Sequence, residues 1–344
     1  MKLEWEILTV DTAHPFGISR NVRTRESVVW LRLEHGGIVA WGEAAPSEYY
    51  GETADTVERA LADLSPVLER MEDPWEIERI EREVRVKTPG AGAAHAAVSA
   101  ALHDWIGKRL GQPLWRLWGL DPADSPLSSF TIGIDEPKVV AAKVREAADF
   151  PILKIKLGTE RDEAMLAAVR SEAPEATLRV DANAGWRADE ALDRIAMLAD
   201  FAVELVEQPL PPEDVDGLRA LKRASPIPIF LDESCLTSSD IPGLADLAHG
   251  INIKLAKCGG PREALRMINT ARACGLLVMM GCMLETSLGI APAAHMAPLL
   301  DYADLDGAAL LADDPFEGPR LERGRIVVGD RPGLGVRAAV PQSV

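Results

Sequence analysis

Short apolar runs recur along the middle of this chain, and each closes on charge: ILKIK at Lys154 and Lys156, LRVD at Asp181, ELVE at Glu207, IFLD at Asp232 and INIK at Lys254. From Lys156 to Lys254 the closing residues are spaced by 25, 26, 25 and 22 positions. A buried parallel strand reads as a near-continuous apolar run, and the crossover to the next parallel strand takes a dozen or more residues. The spacing therefore predicts a repeated βα unit. Helical segments such as EAMLAAVRSEA and PREALRMINTARACG fill the intervals. Strands are expected over residues 152–156, 177–181, 203–207, 229–232, 251–254 and 277–281. SSFTIGI precedes them with a helix over 139–148, and a short eighth run carries Asp304 and Asp306. In a (β/α) barrel the C-terminal strand ends converge on one face, where such barrels do chemistry.

The N-terminal part has a different pattern. SVVWLRLE and GIVAWGEA alternate like antiparallel strands and are joined through His35, Gly36 and Gly37, a hairpin signal. HPFGISRNVRTRES, rich in Pro, Gly, Ser and Arg, reads as a loop. Helical spacing follows over 53–71 and 75–86, then in AGAAHAAVSAALHDWIGKRLG, closed by Gly111. The expected organisation is an α+β unit over residues 1–120, a barrel over 121–320, and a tail over 321–344 that packs back on the first unit.

Composition narrows the classes. At 344 residues the chain has room for two domains, and 47% hydrophobic residues supply a sizeable core. Acidic residues outnumber basic ones, 54 to 37, for a formal charge of −17. Such a surface repels phosphate backbones, which argues against nucleic acid as a partner. LLVMMGCML, the most apolar window, is too short to span a bilayer, so no membrane partner is expected. Cys235, Cys258, Cys274 and Cys282 form no CxxC pattern and read as reduced thiols. MKLEWEILTV lacks a basic segment followed by an apolar one, and the expected location is the cytoplasm.

The charged strand ends carry candidate chemistry. Residues two apart on a strand share a face, so Lys154 and Lys156 both point into the barrel mouth. Two crowded ammonium groups, with a divalent metal nearby, lower at least one pKa and make a lysine a base near neutral pH. Asp181, Glu207 and Asp232 on three consecutive strands form a hard all-oxygen set of the kind Mg²⁺ prefers. Asn183 either orients Asp181 or serves as a turn residue, and Glu233 beside Asp232 has the same two readings. Alternation puts Lys254 with Asn252 on one face, so Lys254 is assigned to the site and Lys257 to a loop or helix cap. If the barrel closes, Lys156 and Lys254 lie on opposite sides of its mouth. That arrangement fits two-base proton transfer at a carbon beside a carboxylate, with Mg²⁺ stabilising the enediolate between the two steps.

LKIKLG, VDAN, VEQP, LDES, INIKLAKCGG and ALHDWIGKRLGQPLWRLWG together resemble the enolase superfamily, muconate-lactonizing subgroup, over nearly the full length. The resemblance implies a modified (β/α)7β TIM-like barrel with an α+β N-terminal capping domain completed by the C-terminal tail. It implies Lys156 and Lys254 as the acid/base pair, with Lys154 beside them, and Mg²⁺ on Asp181, Glu207 and Asp232. The eighth-strand YADLDG resembles the DxD pair by which dipeptide epimerases hold a substrate's α-ammonium group, here Asp304 and Asp306. MGCMLETSLGI, with Met283, resembles their seventh strand. A small-molecule dipeptide is thus the expected partner, and a homo-oligomer the expected assembly. Arg20, Arg23 and Arg25 lie in the first loop, and an Arg there pairs with an acidic side chain in Ala-Glu epimerases, although the spacing around Arg20 departs from that pattern. Tyr49 or Tyr50 is the alternative contact, for a hydrophobic or cationic side chain.

Other readings share these residues. N-acylamino acid racemase, o-succinylbenzoate synthase and muconate cycloisomerase use the same lysines and carboxylates, but their substrates give Asp304 and Asp306 no free ammonium. A mandelate-racemase-like enzyme needs a seventh-strand His where Gly281 and Cys282 stand, and His295 lies further on, in the core or on a helix surface. A Schiff-base aldolase needs no carboxylate triad. A non-catalytic binding protein that kept the fold would be expected to lose a lysine.

Overall fold

The computed structural model describes residues 1–339, and residues 340–344 of the expected tail lie outside the described residues. β1 (Lys2–Gly17), β2 (Val22–His35) and β3 (Ile38–Ala44) form an antiparallel sheet in chain order. Gly36 and Gly37 turn β2 into β3 at φ 57° and 76°, left-handed backbone that glycine adopts without steric cost. The first hairpin departs from the sequence reading. Residues 14–27, expected as a loop, are mostly strand, with pairing out to Gly17 and Val22. Pro15 is accommodated because the register shifts between Asp11 and Phe16, where its missing N–H breaks no ladder. This hairpin reaches the barrel: Ile134 N donates to Gly17 O at 2.8 Å. A Cβ at residue 17 would lie 2.3 Å from Ile134 O, which is why glycine stands there.

α1 (Ala54–Arg70), α2 (Ile77–Lys87) and α3 (Gly92–Leu110) cover the sheet. Leu61, Leu64 and Leu68, on one face of α1, share a core with Leu31 and Leu33 of β2. Thr53 caps α1, and Gly111 closes α3 at φ 67°. A single turn, α4 (Leu114–Leu117), leads into the barrel.

The barrel alternates strand and helix: β4 (Phe130–Ile132), α5 (Pro137–Glu146), β5 (Ile152–Lys156), α6 (Asp162–Glu172), β6 (Thr177–Asp181), α7 (Ala188–Asp200), β7 (Val203–Glu207) and α8 (Val215–Ala224). It continues through β8 (Ile229–Leu231), α9 (Ile241–Leu244), β9 (Gly250–Ile253), α10 (Leu255–Cys258), α11 (Pro261–Ala273), β10 (Leu277–Gly281), α12 (Ser287–Met296) and β11 (Tyr302–Asp304). Neighbouring strands pair in parallel and in chain order. β11 meets the start of β4 through a Ser128–Ala303 bridge and a 3.1 Å bond from Ser129 N to Ala303 O. Among the described residues no α-helix follows β11, where a 3-10 turn, Gly307–Leu310, stands instead, so the architecture is (β/α)7β. Beyond it the chain returns to the capping sheet: Leu334 N donates to Asp104 Oδ1 at 2.8 Å, and Phe316, Leu334 and Val336 pack with Trp30 and Ala100. His295 sits buried on α12, its Nε2 3.1 Å from Leu334 O. No helix of the described residues is long and apolar enough to cross a membrane.

Candidate active site

Strand register builds the site. Lys156 pairs with Asp181 across β5 and β6, and Asp181 with Glu207 across β6 and β7, so three charged side chains form one row at the barrel mouth. Asp232 and Lys254 each follow the last residue of their strand. Three strands separate β5 from β9 in either direction round the barrel, so Lys156 and Lys254 stand on opposite sides. Both line one cavity of about 330 Å³, within the range of small-molecule sites.

Every charge in the row is buried and answered. Lys156 Nζ lies 2.7 Å from Asp181 Oδ2, and Lys254 Nζ 2.8 Å from Asp232 Oδ2. Lys154 Nζ lies 2.6 Å from Glu207 Oε2, 2.7 Å from Asp304 Oδ2 and 3.2 Å from Asp181 Oδ2. Crowded ammonium groups were expected to depress a lysine pKa, and Lys154 does the opposite. Burial works to lower its pKa, but Asp304, Glu207 and Asp181 outweigh burial and hold it well above the ordinary value. Lys254 is raised in the same way, chiefly by Asp232 against burial. The carboxylates differ among themselves. Burial opposes ionisation of Asp181 and Asp232, yet Lys156 and Lys254 respectively hold them below the usual range. In Glu207 burial and then Asp181 prevail, and its carboxyl is pushed up to about 7.

The donor set fits a hard cation. Among the described residues Asn183 Oδ1, Glu233 Oε2 and Asn252 Oδ1 are buried without a hydrogen-bond partner. Glu207 Oε2 meets Lys154 Nζ without hydrogen-bond alignment, while Glu207 Oε1 accepts from Asn252 Nδ2 at 2.6 Å. Buried oxygens left unsatisfied beside three carboxylates are what an oxygen-preferring ion answers. Asp181, Glu207 and Asp232 are not gathered at coordination distance of one point among the described residues, and each is paired with a lysine instead.

The floor and the rim are of different kinds. Asp304 accepts from Ser129 Oγ at 2.6 Å and, paired with Lys154, stays below the usual carboxylate range despite burial. Asp306 accepts from Thr131 N at 2.6 Å and has no cation against it among the described residues. Burial and then Asp304 push its carboxyl up to about 7. Met283 lines the same cavity, its N–H given to Glu285 Oε1 at 2.9 Å. At the rim, Arg20 donates to Asn183 O at 2.6 Å and Glu233 Oε1 at 3.1 Å, and its guanidinium lies 4.3 Å over the Tyr49 ring. Tyr50 also lines the cavity, edge-on to Tyr49, with its phenol pKa raised by burial and then Asp232. Arg23 lines the rim but is taken by Glu26 and Glu48, and exposed Arg25 pairs with Asp11 away from the cavity. Asn183 is both a turn residue, at φ 45°, and a partner of Asp181, whose Oδ1 accepts its N–H at 2.8 Å.

Three features escaped the sequence. Lys257, expected as a loop or capping charge, is fully buried against Asp232. Ser129, just before β4, and Thr131, within it, hold the DxD carboxylates; closure of the barrel brings them there. Glu43 ends the capping sheet and accepts the N–H of Thr286, the residue that caps α12.

Residues 2–119 match the family described as mandelate racemase / muconate lactonizing enzyme, N-terminal domain, and residues 138–342 that described as enolase C-terminal domain-like. The chain belongs to the enolase superfamily. L-Ala-D/L-Glu epimerase of Bacteroides thetaiotaomicron is 41% identical over 338 residues, which cover 98% of this chain and 88% of that one. A hydrophobic dipeptide epimerase of a Flavobacteria bacterium is 39% identical, covering 97% of each. Dipeptide epimerase from Enterococcus faecalis V583, crystallised with Mg and the dipeptide L-Leu-L-Tyr, superposes with a TM-score of 0.92 at 33% identity, covering 97% of this chain and 98% of that one. These enolase-superfamily relatives are named for side chains as different as Glu and the hydrophobic residues.

Proposed function

We propose that this chain is an isomerase that epimerises a dipeptide at the α-carbon of its C-terminal residue by 1,1-proton transfer. The observation that carries this reading is the pair of buried lysines, Lys156 and Lys254, on opposite sides of one cavity, each held by a different carboxylate. An α-carbon placed between them loses its proton to one Nζ and receives another from the second on the opposite face, passing through the enediolate. Asp181, Glu207 and Asp232 would hold Mg²⁺, which when bound supplies positive charge that acidifies the hydrogen beside the substrate carboxylate. Lys154 neutralises Asp304, so Asp306 is the acceptor left for the dipeptide's α-ammonium. Arg20 and the two tyrosines line the mouth, where they would contact the dipeptide's side chains. Met283 bounds the cavity beside Cys282 and Leu284. The four cysteines are free thiols, which supports a cytoplasmic location.

A panel of L,L-dipeptides incubated with enzyme and Mg²⁺ in D₂O should show a mass gain of one deuterium and a second diastereomer. EDTA should abolish both and Mg²⁺ restore them. Incorporation undiminished by chelator, or absent from every dipeptide but present in N-acyl amino acids, would overturn the reading.

A further inference from the structure

A fourth lysine sits behind the site. Lys257 belongs to the single turn α10, three residues past Lys254, and its side chain has no exposure. It does not line the cavity, so it does not touch substrate. Its Nζ lies against Asp232 Oδ1 and within 2.6 Å of Asp232 O, 3.0 Å of Cys235 O and 3.2 Å of Asn252 O. An ammonium has three N–H groups and no acceptor. They are shared among one carboxylate oxygen and the carbonyls of Asp232 just past β8, Cys235 in the loop that follows it and Asn252 in β9. Asp232 is thereby fixed from two sides: its N–H goes to Gln208 Oε1 at 3.0 Å, and its carbonyl and Oδ1 go to Lys257. Only Oδ2 is left toward the cavity, 2.8 Å from Lys254 Nζ.

We propose that Lys257 is a positioning residue: it clamps the carboxylate and backbone of Asp232 so that one oxygen is presented to the metal and to Lys254 in a fixed geometry. This rests on the reading of Asp232 as a metal ligand and Lys254 as one of two bases. Charge alone makes the opposite forecast, because removing a buried cation beside a metal site strengthens attraction for the ion. Removing a clamp frees the carboxylate and weakens its hold.

The test uses Lys257→Met, which keeps length without donors, and Lys257→Gln, which keeps a donor without charge. Mg²⁺ affinity of the full chain is read by calorimetry, folding by circular dichroism, and α-hydrogen exchange of each epimer separately in D₂O. Lys257→Met should bind Mg²⁺ at least tenfold more weakly, with Lys257→Gln between it and the parent. Exchange of the epimer whose proton Lys254 removes should fall further than exchange of the other. Parent-like or tighter Mg²⁺ binding, or equal losses on both faces, overturns the clamp. Should Lys257→Met fail to fold, the same two readouts on Lys257→Gln decide. Asp232→Asn is the control: if it loses Mg²⁺ while the Lys257 variants keep it, only the clamp fails. If Asp232→Asn also keeps it, the ligand reading on which the clamp rests falls as well.

Discussion

Asp304 and Asp306 are two residues apart on the same barrel floor, yet their surroundings treat them differently. Lys154 neutralises the first, while the second meets the N–H of Thr131 and, at 3.9 Å, the thiol of Cys282, and burial and then the repulsion of its neighbour push its carboxyl up to about 7. A free α-ammonium group brought against Asp306 replaces that missing cation, whereas an N-acyl group leaves the carboxylate buried and unpaired. Asp306→Asn should therefore cut kcat/KM for a free dipeptide by about 100-fold or more, the cost of a few kcal/mol for losing one member of a buried charged pair. The N-acetylated dipeptide should be a poor substrate for the parent and change little in the variant; equal losses for both forms would remove the ammonium assignment. At Glu207 the argument turns on charge rather than shape. Glu207→Gln keeps the volume and the acceptor toward Asn252 Nδ2, but removes the charge that a divalent ion would need. Mg²⁺ affinity measured by calorimetry should drop at least tenfold while the circular dichroism spectrum stays that of the parent, and full activity in the variant with EDTA present would end the metal assignment.

Strands were the most legible elements, for a physical reason. A parallel strand buried on both faces reads as a near-continuous apolar run, so a charge on one stands out against its neighbours, and Lys156 and Asp181 mark the strand ends as well. The hairpin of residues 14–27 was misread because its strand character comes from pairing, Phe16 with Arg23 and Gly17 with Val22, and not from apolar content. Lys257 was misread because a lysine three residues past a strand looks the same in sequence whether it meets water or a buried carboxylate. Element placement also yields a test of the reaction. Since β5 and β9 are opposite in the barrel, the proposed reaction has Lys156 and Lys254 address opposite faces of one carbon. Lys156→Ala should still exchange the α-hydrogen of one epimer in D₂O and Lys254→Ala that of the other, with interconversion lost by at least 1,000-fold in each, in line with removal of a general base. Proton NMR of each diastereomer reads both rates, and near-parent epimerisation by either variant would refute the two-base scheme.

Residues of the capping domain and of the barrel line a common cavity, and part of the join between the two is a buried carboxyl. Glu43, at the end of β3, accepts from the N–H and hydroxyl of Thr286 at the start of α12, so it ties the capping sheet to the segment that carries Met283. The two residues are 243 positions apart, and nothing in the local pattern of either announces the contact. Burial, against the hydrogen bonds from Thr286, raises the Glu43 carboxyl to about 8, and burial likewise raises the nearby Glu285 to about 7. In the unfolded chain Glu43 titrates near its ordinary value of 4.5. Between the two values the folded state binds more protons than the unfolded one, so stability falls as pH rises. The contribution is whole below about 4.5 and is lost progressively until pH passes about 8. Each unit of raised pKa corresponds to ~1.4 kcal/mol of lost stability at the upper end of that window. Glu43→Gln keeps an acceptor for Thr286 and cannot ionise. The stability of the variant minus that of the parent, taken from urea unfolding, should therefore grow from pH 5 to pH 8 and level off above it. A difference that stays flat across this window would mean that Glu43 is ionised in the folded protein, and that the join between the domains is an anion held by Thr286 rather than a neutral acid.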